Sequence, residues 1–446
     1  MRTQGRVGEG CAAPLQIIDW RRLEASERRA LLTRPSNAMR STLRAEVAET
    51  IAQVRRDGDT ALHALTAKFD GIALRDIRVP DADVARAAAR VPASLRAAIE
   101  RAAERIAAFH AAGAPTRVAV DTAPGVRCER ILRPLDRAGL YVPAGSAPLP
   151  STALMLVVPA SIAGVRELVL CSPPRADGGV DDAVCFVAQR FGVAHVFALG
   201  GSQAIAAMAY GTESVPRCDK LFGPGSARVD EAKRQVAADP DGAAIDLPAG
   251  PSELAVIADA MADPRFVAAD LLSQAEHGPD SQVLLVSDDD ELLTAVADEI
   301  ERQLATLPRR DVARAALAHA RLLRTDSIED ALAIANDYAP EHLSLQVRDP
   351  QAALAGVRAA GSVFLGPWAP EAIGDYASGT NHVLPTGGAA RGSSGVSITS
   401  FLRAITVQCL TREGLAGIGP DALAIARAEG LEAHARALAV RLEGAA

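Results

Sequence analysis

The chain has 446 residues, a length that accommodates about three domains of ~150 residues. Apolar residues make up 49% of it, enough for buried cores, which excludes a largely disordered protein. The formal charge is 47 − 55 = −8 with both signs interspersed, which argues against binding to nucleic acid or an anionic membrane. The longest apolar runs are about ten residues, half of what crosses a bilayer, so we expect a soluble, cytoplasmic protein.

The N-terminal part of the sequence predicts helices. Residues 1–14 contain no apolar signal segment, and we expect a disordered tail there. Residues 15–137 are predicted to form a helical region that packs on the core. In this region apolar residues recur at a spacing of three to four over 41–57, 81–89 and 94–112.

From about residue 138, short apolar strands alternate with helical segments, a pattern typical of βαβ units and a parallel sheet. One series, with strands at 139–143, 167–174 and 195–201, predicts a Rossmann-like domain over 138–250. A second series, with strands at 253–259, 282–288, 342–347 and 362–366, predicts another over 251–380. Residues 381–446 are predicted to form a loop and a helical tail. The six cysteines are scattered without a CxxC pair, so neither a disulfide framework nor a structural zinc site is expected.

Residues 263–282 carry the first candidate for chemistry. Asp263-Pro264 is a helix start and Gly278 a stop, which predicts a helix over about 264–277. Gln274 and His277 then share a face of its last turn, where the helix dipole favours a cation. The alternative is a histidine that caps the last carbonyl groups.

A second candidate is the adjacent pair Glu341-His342, which follows Pro340 at the start of a predicted strand. A carboxylic acid and an imidazole placed together can act as proton acceptors, and the unperturbed imidazole pKa of about 6.5 suits a base at neutral pH. The alternative is an exposed ionic pair.

Two further segments carry candidate ligands. Residues 366–395 are rich in glycine and include Asp375 and His382; a loop of this length is either functional or a plain surface loop. In 426–444, Gly430 separates a helix that ends at Glu429 from one whose apolar face includes His434. That histidine is either a ligand or a core residue.

Two imidazoles, a carboxylate and an amide oxygen together would suit Zn²⁺ or a similar divalent ion. The spacing does not show that these groups converge, and such a site would equally serve a metallohydrolase. For a dinucleotide there is no GxGxxG, only two strand-to-helix turns at 199–211 and 222–236 whose amides could hold an anion. Tight turns that bind no ligand would account for both segments equally well.

Eight ordered blocks between residues 16 and 443 resemble the histidinol dehydrogenase family. They are LYVPAGSAPLPSTALML (140–156), GGSQAIAAMAYGTESVP (200–216), KLFGPGS (220–226), DLPAGPSE (246–253), DLLSQAEHGPDSQV (270–283), YAPEHL (338–343), GDYASGTNHVLPT (374–386) and GLEAHARAL (430–438). The resemblance implies an α/β fold of two incomplete Rossmann-like domains of the aldehyde-dehydrogenase-like type, with helical N-terminal and C-terminal extensions. It also implies a homodimer in which the C-terminal segment completes the partner's site.

The resemblance assigns roles by motif. The implied proton acceptors are Glu341 and His342, and the implied NAD contacts are Tyr141, Gln203 and Ser226. The implied zinc ligands are Gln274, His277, Asp375 and His434. The implied substrate contacts are Ser252, Gln274, His277, His342, Asp375, Glu429 and His434. His382 lies inside a family block but is not expected to be a ligand.

The implied reaction is the oxidation of L-histidinol to L-histidine by two NAD⁺ through a retained aldehyde, with one water consumed and two NADH and protons released. Zn²⁺ would hold the imidazole and amino nitrogens of the substrate, His342 would take the hydroxyl proton, and Glu341 would activate the hydrating water. The chain departs from the family at Ser226, where asparagine is usual, and at Ala144, where glycine is common. A relative with another hydroxy substrate, a metallohydrolase and a non-catalytic binding protein are the competing hypotheses.

Overall fold

The computed structural model describes residues 15–34, 40–144 and 148–443. Two parallel sheets, each covered by helices on both faces, form the body of the protein. A small antiparallel sheet connects the N-terminal and C-terminal parts. The predicted α/β class, with two incomplete Rossmann-like units and helical extensions, is confirmed. The predicted tail, 1–14, lies outside the described residues.

The N-terminal region begins with a short strand and continues with helices and a hairpin. Its elements are β1 (Ile17–Asp19), α1 (Ala25–Leu31), α2 (Arg40–Phe69), α3 (Asp81–Arg90), α4 (Ala93–Ala112), β2 (Val118–Ala123) and β3 (Val126–Pro134). The backbone of Gly58 has φ 53° and interrupts the helical geometry within α2. The helices α2, α3 and α4 contain the three predicted helical segments.

The first sheet follows in a βαβ series. Its elements are β4 (Arg137–Tyr141), α5 (Pro150–Ala163), β5 (Glu167–Ser172), α6 (Asp182–Arg190), β6 (His195–Ala198), α7 (Gly201–Tyr210), β7 (Lys220–Phe222), α8 (Ala227–Ala238) and β8 (Ala244–Ile245). The strands are parallel in the order β6-β5-β4-β7-β8. The chain adds β5 and β6 on one side of β4 and then β7 and β8 on the other side, so the strand order reverses between β4 and β7. In such sheets a ligand binds at the carboxyl ends of the strands beside this switch point.

The second sheet repeats this plan. Its elements are β9 (Glu253–Ala258), α9 (Pro264–Ala275), β10 (Gln282–Ser287), α10 (Asp290–Leu304), α11 (Arg310–Leu317), β11 (Arg321–Arg324), α12 (Ile328–Tyr338), β12 (His342–Gln346), α13 (Pro350–Leu354), β13 (Ser362–Leu365) and α14 (Glu371–Tyr376). The parallel order is β1-β11-β10-β9-β12-β13, so the strand β1 from the N-terminal region forms one edge.

Alternation along the strands places a hydrophobic cluster on each face of a sheet. In β5, Leu168 and Leu170 point into one cluster, while Val169 and Cys171 point into the cluster on the opposite face. The strands β9, β10 and β12 are buried along their whole length, as expected for parallel strands covered on both sides.

The third sheet was not predicted. The strand β14 (Leu402–Leu410) pairs antiparallel with β3, which pairs with β2, and the helices α15 (Arg412–Ala428) and α16 (Glu432–Glu443) follow. Residues 118–134 and 402–410 were therefore wrongly expected within helical or loop regions. Most residues of β2 and β14 are exposed in the single chain, so no buried apolar run marks these strands in the sequence. Within the described ranges, no helix is both long and apolar enough to cross a membrane.

Candidate active site

A cavity of about 340 Å³ lies where the carboxyl end of the first sheet meets the amino end of the second. Its size is at the lower end of the usual range for small-molecule sites, about 300–1,000 Å³. From the first sheet it receives the segments that follow β4 and β7. From the second sheet it receives the segments that precede β9, β10 and β12, together with α14 and the chain after it. The polar side chains in its lining include Ser226, Ser252, His277, Glu341, His342, Asp375 and His382.

Glu341 and His342 are placed by the end of α12 and the start of β12. Ala339 adopts a left-handed backbone with φ 51°, and Pro340 prevents the helix from continuing. The exposed fractions of Glu341 and His342 are only 5% and 3%, which rules out an exposed ionic pair.

The backbone of one residue, Glu253, holds both of these side chains. Its N–H donates to Glu341 Oε2 at 2.9 Å, and its carbonyl oxygen lies 3.2 Å from His342 Nδ1. Since a carbonyl group only accepts, His342 Nδ1 carries the hydrogen and the neutral ring keeps its lone pair on Nε2. That nitrogen lies 3.8 Å from Asp375 Oδ1. Glu253 was not identified as a site residue, because its contribution comes from backbone atoms that no sequence motif marks.

Burial shifts the proton affinities of the pair in opposite directions. It lowers the pKa of His342 to about 4, so this imidazole is neutral at pH 7. It raises the pKa of Glu341 well above its ordinary value, opposed by the hydrogen bonds from Glu253 N–H and the Ser252 hydroxyl. The pair thus combines an unprotonated imidazole with a carboxylic acid whose pKa is raised.

The candidate metal ligands Gln274, His277 and Asp375 lie around the end of α9. This helix ends at Ala275, two residues earlier than predicted, and His277 lies in the following turn, with its N–H bonded to the Gln274 carbonyl oxygen at 3.3 Å. His277 Nε2 is 3.9 Å from Asp375 Oδ2. The Gln274 side chain is fully buried, and neither its Oε1 nor its Nε2 has a hydrogen-bond partner.

A further carboxylate, Glu371, joins this group. One ligand atom each from His277, Glu371 and Asp375 lies within 4.8 Å of the others. Residues 366–395 were treated as a single loop, but α14 forms within them and places Glu371 and Asp375 four residues apart on one helix. Recognition of this short helix in the sequence would have pointed to Glu371.

His382 lies in the same cavity with both ring nitrogens engaged. Nδ1 is 2.9 Å from the Asp375 backbone oxygen, and Nε2 is 3.1 Å from Thr152 Oγ1. These contacts support the expectation that His382 is not a metal ligand.

The residues assigned to NAD lie around the switch point of the first sheet. Tyr141 ends β4, and its buried hydroxyl accepts a hydrogen bond from Gly201 N–H at 3.0 Å. Gln203 is buried in the first turn of α7. Ser226 precedes α8 and lines the cavity, and its side chain makes no helix-capping hydrogen bond.

Glu429 and His434 are not near this cavity in the same chain. They line a separate shallow groove between α15 and α16, together with Ile425, Leu431 and Leu438. His434 is exposed, so it is not a core histidine.

Comparisons with known proteins agree along the whole chain. A family model described as histidinol dehydrogenase matches residues 32–442. The histidinol dehydrogenase of Xanthomonas euvesicatoria pv. vesicatoria is 60% identical over 432 residues, which cover 97% of this chain and 100% of that protein. The histidinol dehydrogenase of Vibrio parahaemolyticus is 50% identical over 429 residues, which cover 96% of this chain and 99% of that protein. The crystal structure of histidinol dehydrogenase from Elizabethkingia anophelis has a TM-score of 0.91 and 44% identity, covering 96% of this chain and 98% of that one. The chain therefore belongs to the histidinol dehydrogenase family.

Proposed function

We propose that this protein is a zinc-dependent L-histidinol dehydrogenase that uses two NAD⁺ to oxidise L-histidinol to L-histidine, retaining the aldehyde between the steps. The observation that carries the proposal is the buried Glu341–His342 pair, held by Glu253 beside the donor set of His277 and Asp375. Family membership supplies the substrate.

His342 is the base of the alcohol oxidation. Its Nε2 has a free lone pair and lies on the side of the ring that faces Asp375, while Nδ1 is fixed by the Glu253 carbonyl group. The hydroxyl proton of the substrate moves to Nε2 as the carbinol hydride leaves. The resulting imidazolium is stabilised by the Asp375 carboxylate 3.8 Å away.

Glu341 is the base of the hydration step. One of its oxygens is tied to Glu253 N–H, which orients the carboxylate and partly offsets the burial that raises its pKa. The ionised group removes a proton from the water that adds to the aldehyde. The hydrate then loses the second hydride.

Gln274, His277 and Asp375 are proposed to hold the divalent ion, together with His434 from a second copy of the chain. The buried Gln274 amide without a partner and the nitrogen and oxygen donors beside it fit such an ion, since buried polar atoms are otherwise paired. When bound, the ion would hold the nitrogen atoms of the substrate and so orient the carbinol carbon.

NAD is proposed to bind at the switch point of the first sheet, with contacts from Tyr141, Gln203 and Ser226, and to accept the hydride in each step. Ser252 and Glu429 are proposed as additional substrate contacts. Because Glu429 and His434 lie away from the cavity of their own chain, the proposal includes a cytoplasmic homodimer with shared active sites.

The test is NADH formation from L-histidinol, followed by absorbance before and after removal of metal. We expect two NADH per histidinol, loss of turnover on chelation and recovery with Zn²⁺. Turnover of other amino alcohols in preference to histidinol, or full activity in a metal-free sample, would contradict the proposal.

Glu341→Gln separates the two oxidations. We expect this variant to complete the first hydride transfer in a single-turnover experiment but to lose about 10²-fold or more in the overall rate, as is typical when a base is removed. Equal loss of both hydride transfers would show that the assigned roles are wrong.

A further inference from the structure

Glu371 is a fully buried carboxylate with an unusual environment. The described residues that line the adjoining cavity include no lysine or arginine. The Ser273 hydroxyl donates to its Oε2 at 3.1 Å, while Oε1 is buried and has no hydrogen-bond partner. A buried ionised oxygen without a partner is costly, so a cation or a proton must satisfy it.

The surroundings fix where this oxygen points. Asp270 on α9 accepts a hydrogen bond from the Glu371 backbone N–H, and Ser273, one turn further along the same helix, holds Oε2. The free Oε1 then lies 3.9 Å from His342 Nε2. Glu371 is therefore held with its unpaired oxygen toward the catalytic residues.

Three further groups converge on the same place. Ligand atoms of His277, Glu371 and Asp375 lie within 4.8 Å of one another, and ligands of one Zn²⁺ at about 2.0–2.2 Å span a similar distance. The fully buried Gln274 amide, also without a partner, lies in the last turn of α9, three residues before His277.

We propose that Glu371 is a ligand of the divalent ion in the substrate-free protein, binding through Oε1 beside His277 and Asp375. The inference rests on the proposed metal dependence and adds to the donor set a residue that the family motifs did not indicate. It also explains why α9 holds Glu371 at two points.

The test uses the full-length protein and two measurements without substrate. One is the dissociation constant for Zn²⁺, obtained by competition with a chromophoric chelator. The other is the visible absorption of the Co²⁺-substituted protein, which reports the ligands of the ion. For Glu371→Gln we expect Zn²⁺ binding to be about 10- to 100-fold weaker, the range typical for residues that support a metal site. We also expect the Co²⁺ absorption bands to shift.

Glu276→Gln is the matched control, because it removes one negative charge beside His277 without belonging to the cluster. It should bind Zn²⁺ within about twofold of the wild type. Should Glu371→Gln fail to fold, Glu371→Asp withdraws the carboxylate by one methylene group and should also weaken Zn²⁺ binding.

Unchanged Zn²⁺ affinity in Glu371→Gln would overturn the inference. So would weaker affinity with unchanged Co²⁺ bands, because Glu371 would then act only through Asp375. A wild-type protein that binds no stoichiometric Zn²⁺ would refute the proposed metal dependence itself, which distinguishes the two failures.

Discussion

Replacement of Arg34 by methionine is expected to impair catalysis although Arg34 lies outside the cavity. Its guanidinium forms two hydrogen bonds with the Glu253 carboxylate, at 2.6 and 2.9 Å, and one with the Tyr338 carbonyl oxygen at 2.8 Å. It also stacks on the Tyr338 ring at 3.9 Å. The exposed fractions of the Arg34 and Glu253 side chains are 14% and 4%, so water screens this ion pair little.

The size of the effect follows from what remains after the change. Without Arg34, the buried Glu253 carboxylate keeps a hydrogen bond from Gly387 N–H at 3.0 Å. Removal of one partner of a buried ion pair typically costs about 3–5 kcal/mol. Because the Glu253 backbone holds Glu341 and His342, a displacement of Glu253 also moves both proposed proton acceptors. A misplacement of about 1 Å can cost ~10²-fold in rate, so we expect kcat to fall by about 10- to 100-fold.

The assay is steady-state NADH formation together with thermal unfolding. Arg34→Lys should be intermediate, because lysine keeps the charge but cannot form the two parallel hydrogen bonds. Arg55→Met is the matched control: Arg55 pairs with Asp239 at 2.6 Å and stacks on Tyr210 at 4.3 Å, but it is 42% exposed and remote from the cavity. Exposed pairs contribute about 0–1 kcal/mol, so this variant should keep its kcat. If Arg34→Met retains both wild-type stability and a kcat within twofold, the positioning role of Glu253 is refuted.

Three other predictions concern pH, stability and NAD. The pKa of His342 is lowered to about 4 and that of Glu341 is raised. As the pH falls, the aldehyde step should therefore lose activity at a higher pH than the alcohol step in single-turnover experiments. Loss of both steps at the same pH would contradict this. Lys233 is fully buried against Asp246 at 2.5 Å, so Lys233→Met should lose about 3–5 kcal/mol in urea unfolding, and a loss below about 1 kcal/mol would contradict the pair's importance. Ser226→Asn should lower KM for NAD by about 2- to 13-fold at nearly constant kcat, because it would restore one hydrogen bond. An unchanged or higher KM would count against a missing contact at this position.

The prediction for position 226 depends on whether a neighbour replaces the missing amide. Arg228, two residues further along the chain, is a candidate for supplying such a contact. Its guanidinium instead forms an ion pair with Glu46 of α2 at 2.6 Å, and it does not line the cavity. Arg228 is therefore not placed to substitute for an asparagine at position 226.

The buried parallel strands were the most predictable part of the fold. The predicted strand at 282–288 is Gln282–Ser287, and the one at 253–259 is Glu253–Ala258. Such strands are covered on both faces, so their sequences are continuous apolar runs. The exposed β14 has no such run, and its partner β3 lies more than 260 residues earlier in the chain, a pairing that local patterns do not contain.

The site was predictable residue by residue but not as a geometry. Sequence spacing identified His277 and Glu341 as candidates, and only the fold shows that the turn after α9 and the start of β12 bring them to one cavity. Glu371 was missed because its helix has six residues, too few for a periodic pattern. The role of Glu253 was missed because its backbone N–H and carbonyl group make the contacts, and no side-chain motif marks them.

The acidic side chains at the cavity connect the proposed metal ion to the protonation state of the site. Glu341 and Asp375 line it and Glu371 adjoins it, yet among the described lining residues the basic groups are histidines, not lysine or arginine. Burial pushes Glu371 toward its neutral form, which does not bind a metal. A bound divalent cation reverses that tendency, because its field favours the ionised carboxylates. Binding of the proposed ion should therefore release the proton that Glu371 carries in the metal-free protein.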